Sequence, residues 1–185
     1  RRQRQMCIRD RLFTLSLLVY LLTHFQWAIK PLLFYVAINI WYSLGLKRIS
    51  LVELFCIAGG FLLRVWLGAK ALDVLLSPWM GVTSFFIAFF LASIKRRQEL
   101  LSPGSGMRRP VLKSYSLAFL DKISLLSSAS VLVFYTLFIV LEKPELVLTV
   151  PIVFFGVCRY WLLVEVKQEG ESPTELVTSD PYLLG

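Results

Sequence analysis

The fold class this sequence predicts is an all-α membrane protein, a multispanning bundle of transmembrane helices. Three observations predict it. Of 185 residues, 57% are hydrophobic and only 17% are charged, and mean hydropathy is +0.69. A water-soluble domain of this length has too much surface to cover with so few charges. The apolar residues come in runs of about twenty, the length that crosses about 30 Å of hydrocarbon. The runs are apolar on all sides and longer than the roughly ten-residue alternating strands of a membrane barrel, so they read as helices.

The elements follow in order. Residues 1–11, RRQRQMCIRDR, are basic and have no apolar h-region, so they are not a signal peptide. They resemble translated sequencing-adapter sequence and form a tail outside the bundle. The chain begins without Met and stops soon after an acidic stretch, so a fragment cut at both ends is expected. Residues 12–164 form the bundle. A first span covers 12–29. Lys30-Pro31 breaks it, with Pro31 in the first turn of a second span over 31–46. A third covers 49–69. Asp73 and Ser77-Pro78 mark the next turn, Ser77 as N-cap and Pro78 at the first helical position of a fourth span over 78–94. A polar loop over 95–114 contains the breaker SPGSG. The fifth span covers 115–141 and the sixth 146–164, the latter bent at Pro151. Residues 165–185 form a polar, acidic tail.

Charge orients the bundle. Net charge is +8 and the isoelectric point about 9.6. In a soluble protein that balance would raise nucleic acid as a partner. Here the cations flank apolar runs and no nucleic acid is expected. One face receives Lys47, Arg48, Lys95, Arg96, Arg97, Arg108, Arg109 and Lys113. The other receives Lys30, Lys70, Asp73 and the turn from Glu142 to Glu145. The positive-inside rule makes the first face cytoplasmic, with both ends of the chain on that side. Cys7, Cys56 and Cys158 show no CxxC spacing, and His24 is the one histidine, so neither a disulfide nor a Cys/His metal site is supported.

Four constellations approach the cytoplasmic boundary. YSLGLKR, from Tyr42 to Arg48, joins an interfacial aromatic to two cations. KRRQEL, from Lys95 to Leu100, places Arg96 and Glu99 on one face at i, i+3 if the helix continues. Asp121 is a carboxylate just inside the fifth span, expensive in lipid and therefore expected to face a cavity or a partner; Glu53 poses the same question near the start of the third. Arg159-Tyr160-Trp161 stands where the sixth span returns to that face, and arginine suits phosphate through its fork of donors. Belt aromatics and positive-inside anchors would look the same one motif at a time. Arg64 lies deeper, where snorkelling or a pair with Asp73 suits it. Together the four suggest a cationic mouth above an apolar bundle, suited to a reaction between a soluble phosphate compound and a lipid.

In order, YSLGLK, LLRVWLGA, SPW, KRRQEL, Tyr115 with Phe119-Leu120-Asp121, and Arg159-Tyr160 resemble the UbiA superfamily of membrane prenyltransferases, over roughly residues 41–180. The branch most similar transfers phosphoribosyl to decaprenyl phosphate. The resemblance implies about nine helices, six of them present here, in a bacterial plasma membrane with active-site loops in the cytoplasm. It implies Mg²⁺, a polyprenyl phosphate lipid and phosphoribosyl pyrophosphate. It further implies phosphate and substrate contacts at Lys47, Lys95, Arg96 and Arg159, walls at Tyr115 and Tyr160, and Glu99 and Asp121 as the catalytic or metal-binding carboxylates. The family's NDxxDxxxD motif is absent from this sequence, so part of the metal site is missing and the chain by itself is expected to be inactive. Two alternatives stay open: a UbiA-type enzyme moving a prenyl chain to a small or aromatic acceptor, and a non-enzymatic transporter or assembly subunit. A homo-oligomer is also open.

Overall fold

A computed structural model of the chain describes residues 26–101 and 110–167. The expected tail over 1–11, most of the first span, Arg108 and Arg109, and the polar tail beyond 167 lie outside the described residues. Five α-helices and three 3₁₀ turns make up the rest, with no strand among the described residues. Helix α1 is Gln26–Leu44, α2 Val52–Ala71, α3 Pro78–Leu101, α4 Leu117–Glu142 and α5 Thr149–Lys167. The 3₁₀ turns are Leu46–Arg48, Pro110–Ser114 and Pro144–Leu146.

The protein is an all-α membrane bundle. Three helices, α2, α3 and α4, are long and apolar enough to cross a bilayer, and Leu32–Leu44 is a shorter apolar stretch. Six spans were expected from the sequence, and the boundaries differ in informative ways. Lys30-Pro31 does not separate two helices; α1 runs through it. Pro31 removes one backbone bond, the one to Trp27 O, and the helix carries on through that loss. Helix α3 continues seven residues past Ile94, to Leu101, carrying KRRQEL as helix; lysine, arginine, glutamine and glutamate are good helix formers and prolong it. Helix α5 begins only at Thr149, so Pro151 stands in its first turn and not at a mid-helix bend. It is helical to Lys167, the last described residue, which takes Glu165 out of the expected tail.

Caps explain the other starts. Ser77 precedes Pro78 as expected, although its hydroxyl reaches Met80 N–H only at 3.5 Å. Ser116, which the sequence reading placed inside a span, is instead the N-cap of α4 and accepts from Phe119 N–H at 3.2 Å.

Each α-helix packs on the next in chain order, and α3 against α4 is the most extensive contact. Neighbours along α1 to α4 run antiparallel. Phe55 of α2 meets Phe85 and Phe89 of α3, and Phe86 of α3 stacks on Phe134 of α4 at 5.3 Å. One core cluster, with Leu54, Ala58, Phe89 and Leu120, joins α2, α3 and α4; a second, Phe90, Ile94, Tyr160 and Val164, joins α3 to α5. This packing brings the start of α2, the end of α3 and the start of α4 together at one end, flanked by two 3₁₀ turns.

Candidate functional site

At that end the bundle buries ion pairs. Glu53 lies in the first turn of α2, where a carboxylate complements the helix dipole. Its side chain is 0% exposed and Arg96 is 3% exposed. Arg96 Nε donates to Glu53 Oε1 at 2.9 Å. The same guanidinium sends Nη1 to both oxygens of Glu99 at 2.8 Å, the i, i+3 contact that the helical spacing predicts. Arg97, next along α3, donates from Nε to Asp121 Oδ1 at 2.5 Å. Two adjacent arginines, Arg96 and Arg97, therefore meet three carboxylates, Glu53, Glu99 and Asp121.

Tyr115 closes the cluster from the turn before α4. It is buried, stacks on Phe119, and accepts a hydrogen bond from Leu51 N–H at 2.6 Å. Leu51 has φ 66°, a positive-φ conformation costly for any residue that carries a Cβ. The tyrosine oxygen thus holds the strained residue from which α2 departs. Burial pushes the Tyr115 phenol above its usual pKa; the Leu51 amide opposes this, Glu53 adds to it and Arg96 opposes it.

Lys95 is exposed and lines a cavity of about 370 Å³ between α1, α2 and α3. Its walls include Ile57, Phe61 and Leu91, with Tyr42 also lining it. Arg64 lines the same cavity, donating to the Tyr35 hydroxyl from Nε at 3.0 Å and from Nη2, with its guanidinium 5.3 Å from the Tyr35 ring centre. Its partner is thus Tyr35, and of the two alternatives read from sequence the pair with Asp73 is not formed. Lys47 is exposed on the 3₁₀ turn after α1.

The site residues expected from sequence divide accordingly. Lys95, Arg96, Glu99, Tyr115 and Asp121 share one end, with Lys47 on an adjoining turn. Arg159 and Tyr160 are mid-helix in α5, because that helix extends to Lys167. Tyr160 packs edge-on against Phe90 at 5.6 Å. Phe90 precedes Arg96 by six residues, about 9 Å along a helix, so this pair lies deeper than the boundary position expected. Gln98 ties the two levels, donating to Val164 O at 3.3 Å. Glu53 is the residue that spacing did not select. Its one signal was a carboxylate at the head of an apolar run; the arginine that answers it is 43 residues away.

Fold and site define a helical membrane protein with a buried carboxylate–arginine cluster at one end of its bundle. No family model matches the chain. It is similar to proteins named decaprenyl-phosphate phosphoribosyltransferase. With that of Mycolicibacterium smegmatis it shares 33% identity over 105 residues, 56% of this chain and 33% of the relative. With that of Corynebacterium glutamicum the identity is 29% over 106 residues, 56% and 32%. With that of Mycobacterium tuberculosis it is 30% over 118 residues, 60% and 39%. The chain thus spans about a third of the length of the curated relatives it matches.

Proposed function

We propose that this chain is part of a membrane transferase that moves a 5-phosphoribosyl group from phosphoribosyl pyrophosphate to a polyprenyl phosphate, with its reacting end at the cytoplasmic face. The observation that carries the reading is the likeness to proteins named for that transfer. The charged end supports it. In the reaction an oxygen of the lipid phosphate bonds to the anomeric carbon while the bond from that carbon to pyrophosphate breaks. Both reactants are polyanions, and one carries a long apolar chain. An exposed lysine beside an apolar cavity suits such a lipid: the chain lies against Ile57 and Phe61 while its phosphate meets Lys95. Lys47 and Arg48, exposed on the neighbouring turn, add further cations at that end. Arg96 binds Glu53 and Glu99, and Arg97 binds Asp121 through Nε, so both hold carboxylates in place.

Mg²⁺ is what the family resemblance implies. Glu99 and Asp121 each face an arginine, and no group of three His, Cys, Asp or Glu among the described residues could hold a metal ion. By themselves the described residues do not complete a divalent-cation site.

The test supplies the full-length protein in membranes with labelled phosphoribosyl pyrophosphate and polyprenyl phosphate. Label is expected in the lipid extract with release of pyrophosphate. Label that stays in the aqueous phase, or transfer that instead needs a prenyl diphosphate and an aromatic acceptor, sinks the reading. Lys95→Ala removes one charge-assisted contact, and the KM for an anionic substrate is expected to rise about tenfold. Unchanged KM and kcat would take Lys95 out of the site.

A further inference from the structure

We infer that Glu53 is a positioning residue of this site, acting through Arg96 to set the direction of the Glu99 carboxylate. The inference deepens the phosphoribosyl-transfer reading and rests on it for its kinetic test, but not for its structural one.

The geometry carries it. Arg96 is a planar fork, so fixing one edge fixes the other. Glu53 takes the Nε edge, and Nη1 is left aimed at both oxygens of Glu99. Glu53 is wholly buried while Glu99 is 16% exposed, so the chain of contacts runs from the interior to the outer, reacting end. A buried carboxylate–guanidinium pair seldom stabilises a fold more than two apolar side chains of the same volume would. Its effect here is directional. Glu53 belongs to α2 and Arg96 to α3, so the pair also registers the start of one helix against the end of the next.

A second observation agrees. Glu53 Oε2 is buried with no partner at hydrogen-bond geometry. The hydrogen bond Glu53 makes at good geometry goes to the guanidinium edge that controls Glu99, and the Tyr115 hydroxyl lies close enough to interact with the same carboxylate. Tyr115 braces the same point from the other side by holding Leu51, two residues before Glu53.

The experiment is a double-mutant cycle in the full-length protein with Glu53→Gln, Arg96→Gln and the pair together. Glu53→Gln keeps shape and removes charge. Its kcat is expected to fall at least tenfold while the KM for phosphoribosyl pyrophosphate stays within about threefold. The double variant is expected to be no slower than Arg96→Gln alone, because the two residues act in series. Multiplied losses, or a kcat per folded molecule equal to the unsubstituted protein, overturn the inference. Thermal unfolding in detergent guards against misfolding. There Glu53→Leu with Arg96→Met is expected to melt within a few degrees of the parent and yet turn over at least tenfold more slowly. Full activity in that variant overturns positioning outright. If the parent shows no phosphoribosyl transfer, the proposed function fails, and the melting temperatures of the cycle then decide. Non-additive shifts keep the Glu53–Arg96 link; additive shifts remove it.

Discussion

The two ends of the bundle are tied by different physics. At one, Glu53, Arg96 and Glu99 are shielded from solvent and join helices through bonds between residues 43 apart in sequence. At the other, Ser77 donates to Glu142 in an exposed contact, Tyr135 and Thr149 share a hydrogen bond at 2.8 Å, and Trp79 stacks on Phe134 at 6.4 Å. Lys143 and Glu145 approach only to 3.9 Å, more than half exposed. Exposed polar contacts are screened and their loss is cheap. Buried ones cost a great deal when half of the pair is lost, yet hold direction closely while intact. The second end is stapled, and the first is built to aim side chains. A bundle that needed only stability would have used apolar residues at both.

Breaking the buried end should show the largest effect. Arg96→Met removes the guanidinium that answers Glu53 in its buried surround and its contact to Glu99. A loss of about 3–5 kcal/mol is expected from removing one member of a buried pair, read as a large fall in unfolding midpoint in detergent. A loss near that of a surface change would mean that water reaches Glu53 and that the contrast between the ends is false. Asp121→Asn and Glu142→Gln sharpen the comparison. Asp121 is 40% exposed on its side chain while Arg97 is 12% exposed, so the pair is partly screened, and about 1 kcal/mol is expected. Glu142→Gln, at the other end, should cost less than half as much, since an amide oxygen still accepts from Ser77. Equal losses for Arg96→Met and Glu142→Gln would erase the distinction.

Much of this contrast was legible in the sequence, but unevenly. Apolar runs of span length predicted α2, α3 and α4, because hydrophobicity and length alone decide such helices. The i, i+3 spacing of Arg96 and Glu99 predicted their contact, because it depends only on helix geometry. Asp121 was expected to need a partner, on the cost of a carboxylate in lipid; that the partner is Arg97 depended on how α4 lies against α3, which no local pattern encodes. Glu53 was noticed for the same reason and left unplaced. Arg159 and Tyr160 were set too near the boundary because the end of α5 was read from polarity: Glu165 looks like a tail but continues the helix. The bond from Arg64 to Tyr35 was invisible, since it depends on which face of α1 meets α2.

The subtlest expected effect is a shift with pH at Tyr115, and it tests whether the shielded end extends as far as the turn before α4. Burial raises its phenol pKa above the ordinary value of 10.0. The folded protein therefore holds that proton more tightly than the unfolded chain does. The sign follows from linkage: the contribution to stability is full below pH 10 and is lost as pH rises from there through the higher folded value. Tyr115→Phe removes this alkaline loss and also leaves the Leu51 N–H without its acceptor, for a net cost near 1 kcal/mol at neutral pH. The chain holds seven tyrosines, so the check is a difference titration of phenolate absorbance between parent and Tyr115→Phe. The missing component should ionise above pH 10. If it ionises at the ordinary pH instead, water reaches the Tyr115 hydroxyl. The brace on Leu51, and with it the shielding of Glu53 two residues on, would then be weaker than the buried ion pairs require.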